Sequence, residues 1–283
     1  MSGSVPPPDP GPPPGRSRIG WWWLLVAVLA IALITALVAQ PWAPVETEPS
    51  LTPSITVTTP EPTVPPGTPS PSAEVPGADA VFDPTTGLTL FVDAADLVAQ
   101  IPAADPEVQP RITSGQLPWG LPLGSTIEPP ECLVAATVVA VPPPWYDTLM
   151  WGNGALAFQQ EVVLLTDPAA AREAFRTLVT TVDACPEYSQ VNPDIDGATW
   201  TAEPAIEGQG VFPSIVQEVT HSAEGSEVPG YRGHLLVGNT IVTWTAEALT
   251  AGDRQAALAT LGDPADLAAM VQGQAQSAVR SLG

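Results

Sequence analysis

The chain has 283 residues, a formal charge of -22 and eight basic residues, every one of them Arg. On the C-terminal side of its one long apolar run, 29 acids face 6 Arg. A field of that sign repels a phosphate backbone and excludes nucleic acid as a partner; it serves solubility, or draws cations or a basic partner.

Residues 1–18 are rich in Pro and Gly without apolar periodicity. They predict a disordered cytoplasmic tail, although PPPDPGPPPG also has the form of a ligand for a proline-reading domain. Ile19 to Ala39 carries no charge over 21 residues, enough helix to span roughly 30 Å of hydrocarbon. Trp21, Trp22 and Trp23 at one end and Trp42 beyond the other mark both membrane interfaces. Arg16 and Arg18 precede the run, and Glu46 and Glu48 follow it, so residues after Pro41 are expected outside the cytoplasm. A cleaved secretory signal competes with a retained single-pass anchor. The run exceeds the usual ~7–15 apolar residues of a signal, and Leu37-Val38-Ala39 is a weak cleavage site. No Cys lies nearby to carry a lipid. Residues 40–80 hold 11 Pro among Thr, Ser and Glu. Such a stalk favours extended conformations with a reach on the order of 100 Å.

From residue 81 to 283 the composition is that of one globular domain. A short helix is expected around Ala94–Ile101. Cys132 opens an apolar run, CLVAATVVAV, that reads as a buried strand. Next come PPPWYDTLMWGNG, residues 142–154, read as a long loop, and a strand over Ala157–Leu165. Asp167 and Pro168 then cap a helix. Its buried face carries Ala171, Phe175, Leu178, Val182 and Cys185. Strands follow at Ala198–Glu203, Ser214–His221, Tyr231–Val237 and Thr240–Ala246, the last two joined by the hairpin pair Gly238-Asn239. A closing helix starts at Asp263-Pro264 and shows Leu267, Val271, Ala275, Ala278 and Leu282 on one face. Helices at both ends of hairpin-connected strands predict an α+β domain, an antiparallel sheet flanked by helices.

Cys132 and Cys185 are the only cysteines, and outside the cytoplasm they are expected to form one disulfide stapling that helix to that strand; two free buried thiols are the alternative. His221 and His234 are the only histidines, with no Lys and no nucleophile elbow beside them, so no enzyme is expected. The two His come opposite each other if their strands pair, but zinc would need further ligands. Asn192, Asp194, Asp196, Gly197 and Glu203 match calcium-loop spacing. Asn at the first position, Pro193 and the strand that follows favour an ordinary acidic turn. No metal and no cofactor is expected. Trp145, Tyr146 and Trp151 are the candidate ligand-binding residues, lining a groove for peptide, glycan or lipid. In the competing reading they fold back over the core.

An anchor, a Pro/Thr stalk, the stretch VVLLTDPAAAREAFRTLVTTVDAC, the hairpin VGNTIVTWTA and a closing amphipathic helix resemble the PknH-like extracellular sensor domain family of actinobacteria, which the Lys-free composition suits. The resemblance implies an antiparallel sheet with a ligand-binding cleft. It departs from the kinase-borne version in having Cys for one disulfide rather than two, and residues 1–18 are too short for a kinase. The expected protein is a non-catalytic, membrane-anchored sensor that signals through a membrane-protein partner. A structural accessory subunit of a membrane or cell-wall assembly is the alternative.

Overall fold

The structure, a computed structural model, describes residues 76–193, 196–223, 225–250 and 252–283. The expected tail (1–18), membrane helix (19–39), stalk as far as residue 75, and Asp194 of the acidic turn lie outside the described residues. Among those described, no helix is long and apolar enough to cross a membrane.

Chain order runs through helices α1 (Pro84–Gly87) and α2 (Ala94–Gln100), strands β1 (Gln109–Ile112) and β2 (Thr126–Glu128), and α3 (Leu133–Thr137). There follow β3 (Trp145–Gly152), β4 (Leu156–Leu164), α4 (Pro168–Ala184), β5 (Glu187–Val191), β6 (Ala198–Ala202) and β7 (Ile206–Glu207). The chain closes with β8 (Ser214–Ala223), β9 (Ser226–Val237), β10 (Thr240–Ala248), α5 (Arg254–Ala259) and α6 (Pro264–Ser281). The strands form one antiparallel sheet in the order β1-β3-β4-β10-β9-β8-β6-β5-β2, with β7 also paired to β8. This is the expected mixed domain with a large antiparallel sheet and flanking helices.

The long helices start where local chemistry places them. Asp167 accepts from the Ala170 amide and Asp263 from the Ala265 amide, each with Pro in the first turn. Helix α4 buries Ala171, Phe175, Leu178 and Val182 on one sheet face, whereas α6 buries Leu267, Val271, Ala275 and Ala278 in the core on the other. At the β9–β10 turn Gly238 has φ 54, and a Cβ there would meet the Ala80 carbonyl oxygen at 2.0 Å. The buried Asn239 side chain bonds both backbone groups of Phe82 and the Leu165 carbonyl, tying the start of the domain to its central hairpin.

Two sequence expectations fail. The run after Cys132 is not a strand: a short 3-10 turn, Pro130–Cys132, leads into α3. A continuous apolar run has no period to separate buried helix from buried strand, and Ala135 and Ala136 favour helix. The disulfide does form, but it joins this helical segment to the C-terminal end of α4, with Cα atoms 5.7 Å apart. The second failure is the aromatic loop. Trp145–Gly152 is strand β3, paired to β4 along its whole length and to β1 on its other side. Trp, Tyr, Thr, Leu and Met suit a pleated, half-buried surface. The connection to β4 is only Asn153-Gly154-Ala155. Asn153 organises it, donating to the Ala103 and Pro106 carbonyls and accepting from the Ala155 and Leu156 amides.

Candidate functional site

Alternation along β3 separates the three aromatic candidates. Trp145 and Trp151 pack against the larger core on the α6 side, while Tyr146 points to the α4 side. The structure therefore does not bring them into one groove. The calcium-loop candidates are committed elsewhere: the Asn192 amide oxygen accepts from Ser125 Oγ (2.6 Å) and Gln190 Nε2 (2.8 Å), and Glu203 lies 3.9 Å from Arg254. Among the described residues no group of three or more His, Cys, Asp or Glu could hold a metal ion. The two histidines are on paired strands but not opposite each other, since His234 faces Ile215 and His221 faces Val228.

They nonetheless meet in one cavity. On the α4 side of the sheet, the row nearest the β9–β10 turn is dry: Val163, Ile241 and Leu236 pack in the core with α4. Two residues further along each strand the chemistry changes. The next row is Glu161, Thr243 and His234, the one after it Gln159, Thr245 and Arg232, and the third Ala157, Glu247 and Gly230. Side chains on one face of such a ladder stand about 5 Å apart across strands. Here they floor a cavity of about 340 Å³. Met150 of β3 borders one side, Trp200 and His221 the other, and Ala135, Ala136 and Val138 form the roof.

The roof contains a strained turn that cross-links hold in place. Val138, a buried β-branched residue, has φ 67 and ψ -40, and the Val139 amide bonds the Thr137 carbonyl at 2.8 Å across it. This is a positive-φ γ-turn, a strained conformation that persists only when its surroundings impose it. Trp119 Nε1 also donates to the Thr137 carbonyl, and the Cys132–Cys185 bridge anchors the start of the same segment. From below, the Tyr188 hydroxyl and Arg232 Nη1 both donate to the Ala135 carbonyl.

Arg232 is the cavity's central cation. Its Nε donates to Thr245 Oγ1 and its Nη1 to the Tyr188 hydroxyl, and among the described residues no carboxylate forms a salt bridge with it. Burial works against its charge, but Tyr188 and the carboxylates of Glu161 and Glu247 hold it above the usual guanidinium range. Glu161 accepts from the Tyr146 hydroxyl (2.8 Å) and Gln159 Nε2 (2.9 Å). Burial pushes its carboxyl up, and Tyr146, Arg232 and Gln159 offset only part of that. His221 Nδ1 lies 3.5 Å from Glu247 and its ring stacks on Trp200, which stacks in turn on Tyr188.

His234 is 1% exposed. Burial, then the nearby Arg232 charge, drives its pKa down to about 3, so the ring is neutral. Its Nδ1 is bonded to Thr243 Oγ1, whereas its buried Nε2 has no partner among the described residues. A buried polar atom left unpaired costs about 1–3 kcal/mol, and this one belongs to a residue that lines the cavity.

The sequence reading passes over Glu161, Arg232 and Glu247. The signal is present, because VTWTAEA alternates Thr243, Thr245 and Glu247 against Val242, Trp244 and Ala246. The two-residue turn then sets the register that brings His234 to Thr243 and Arg232 to Thr245.

Neither a family model nor a curated protein matches the chain. Among solved structures it is similar to the extracellular domain of PknH from Mycobacterium tuberculosis, with 14% identity and a TM-score of 0.50 over 71% of this chain and 98% of that one. A Mycobacterium smegmatis protein described as an Rv0999 ortholog matches with 17% identity and a TM-score of 0.35, over 66% of this chain and 97% of that one. The described domain thus has the PknH-like extracellular sensor domain fold that the sequence resemblance implies.

Proposed function

We propose that the domain is an extracytoplasmic ligand-binding module of the sensor type. The apolar segment 19–39 holds it at the membrane, and a partner membrane protein carries its signal. One observation supports this reading above the others: a polar cavity in which a fully buried His234 leaves a ring nitrogen unpaired. Fixed polar groups that a fold leaves unsatisfied around an open volume are preorganised for a bound molecule. The likeness to an extracellular sensor domain suits this reading. The binding residues move accordingly, from Trp145 and Trp151 to Glu161, Arg232, His234 and Glu247, with Tyr146 supporting Glu161. The function requires no catalytic step from these groups.

Native mass spectrometry of the full-length protein, isolated from its host in nanodiscs, tests the proposal. A stoichiometric small-molecule adduct that is lost in His234→Phe is the expected result. An apo spectrum from every preparation, with one membrane complex co-purifying instead, favours the accessory-subunit reading. For the anchor, a reporter active only outside the cytoplasm and fused after Gly283 is expected to work; a silent fusion on a stable chain reverses the topology.

A further inference from the structure

Resting on the ligand-binding reading, we propose that this cavity takes a neutral, polyhydroxylated molecule: a sugar of one or two rings.

Three features of the lining select that class. The first is the order of the charges. Arg232 stands in the row between Glu161 and Glu247, so the floor alternates carboxylate, guanidinium, carboxylate. A cation placed here meets Arg232, and an anion meets two carboxylates. A ligand of strong single charge is opposed whichever way it lies, whereas one whose polar groups both donate and accept is satisfied along the whole diagonal. Hydroxyls do both.

The second feature is the set of unmet bonds. Arg232 uses Nε and Nη1 within the domain, leaving Nη2 without a partner among the described residues. The carboxylates offer acceptors only. Thr243, Thr245 and Gln159 interleave groups that work in either direction. His234 Nε2 is a donor in one tautomer and an acceptor in the other, and a hydroxyl answers both. The ring's neutrality removes any call for a charged partner there.

The third is shape. About 340 Å³ lies at the lower end of the ~300–1,000 Å³ of small-molecule sites, room for one or two sugar rings, and the charged floor does not suit a lipid chain. The stacked Tyr188–Trp200–His221 wall offers an aromatic surface for the C–H side of a sugar ring.

The chain's only two histidines both border the cavity, so their ring nitrogens report on it and on nothing else. Full-length protein labelled with 15N at His, held in nanodiscs free of sugar detergents, is titrated with glucose, galactose, inositol and maltose. Glucosamine and glucuronate serve as the cationic and anionic counterparts. The expected result is a saturable shift of the His234 ring signals with at least one neutral compound, at a concentration ten-fold or more below that needed for either charged sugar. Glu161→Gln is expected to weaken that binding about ten-fold; Glu247→Gln provides the same test should the first variant fold poorly. A saturable response to glucosamine or glucuronate alone overturns the sugar class and leaves the binding reading standing. If no probe moves the ring signals while native mass spectrometry shows an adduct, the class is again wrong and the cavity still a site. Silence in both measurements overturns both readings.

Discussion

On one face of the sheet stand Phe158, Val162, Val242, Trp244, Leu235 and Val237, all buried under α6 and the N-terminal helices. On the other face of the same three strands, one residue out of step, stand Glu161, Gln159, Thr243, Thr245, His234 and Arg232. The first face carries out the usual task of a core: Phe158 and Trp244 stack with centroids 6.5 Å apart, and Trp244 lies over Gly233, where a Cβ would meet the indole at 2.3 Å. The second face gives up apolar burial for polar groups that neighbours only partly satisfy. Stability and binding are thus divided between the two sides of a single set of strands, and a change on either side is expected to show which task it serves.

The sharpest test of that division is removal of the disulfide, which belongs to the polar face yet acts on stability. Closing a loop of 53 residues is worth about 4 kcal/mol in a chain-entropy estimate. Cys132→Ala with Cys185→Ala is expected to lower the denaturant midpoint accordingly and to loosen the cavity roof. An unchanged midpoint would show that the roof is held by packing alone.

On the opposite face, Trp145→Ala and Trp151→Ala are each expected to cost about 3 kcal/mol, as large aromatics packed on a core do. They should leave ligand capture unchanged once the protein is folded. Loss of capture at constant stability would return these residues to the binding site and break the comparison.

The smallest expected effect is the pH dependence of the polar face. His234 has its pKa near 3 in the folded state and about 6.5 unfolded. Between those values the unfolded chain binds the extra proton, so stability is complete above pH ~6.5 and falls as the pH drops towards 3. By pH 5 the loss is about 2 kcal/mol. Glu161 acts in the opposite sense, because its raised carboxyl takes up a proton earlier in the folded state. Urea titrations at pH 7 and pH 5 on a Glu161→Gln background isolate the histidine. If His234→Phe on that background keeps the full slope, the buried ring is not its source.

Much of the framework was legible locally. The Asp167 and Asp263 caps, the spacing of Phe175, Leu178 and Val182, and the Gly238-Asn239 turn each encode structure within a few residues, and each element lies where these signals place it. The short strands β1, β2, β5 and β7 carry no such pattern. Their pairing is supplied by neighbours distant in the chain, as Thr126–Glu128 on Val191–Ser189 shows.

The site was half legible. Arg232, His234, Thr243 and Thr245 share a face by strand alternation and a hairpin register that the sequence contains. Glu161 joins them only because β4 pairs with β10, the roof only because α3 and its bridge fold across the floor, and the His221 wall only through β8, β6 and β5. The sequence by itself determined the long helices α4 and α6, their caps, the central hairpin and the acidic, Arg-only character of the domain, since periodicity and capping act over one turn or one strand. Only the tertiary structure decided that β3 is a strand, that its aromatics part to opposite faces, and that His234 lies buried beside an open volume. Those outcomes depend on pairing and packing between segments tens of residues apart, which no local pattern specifies.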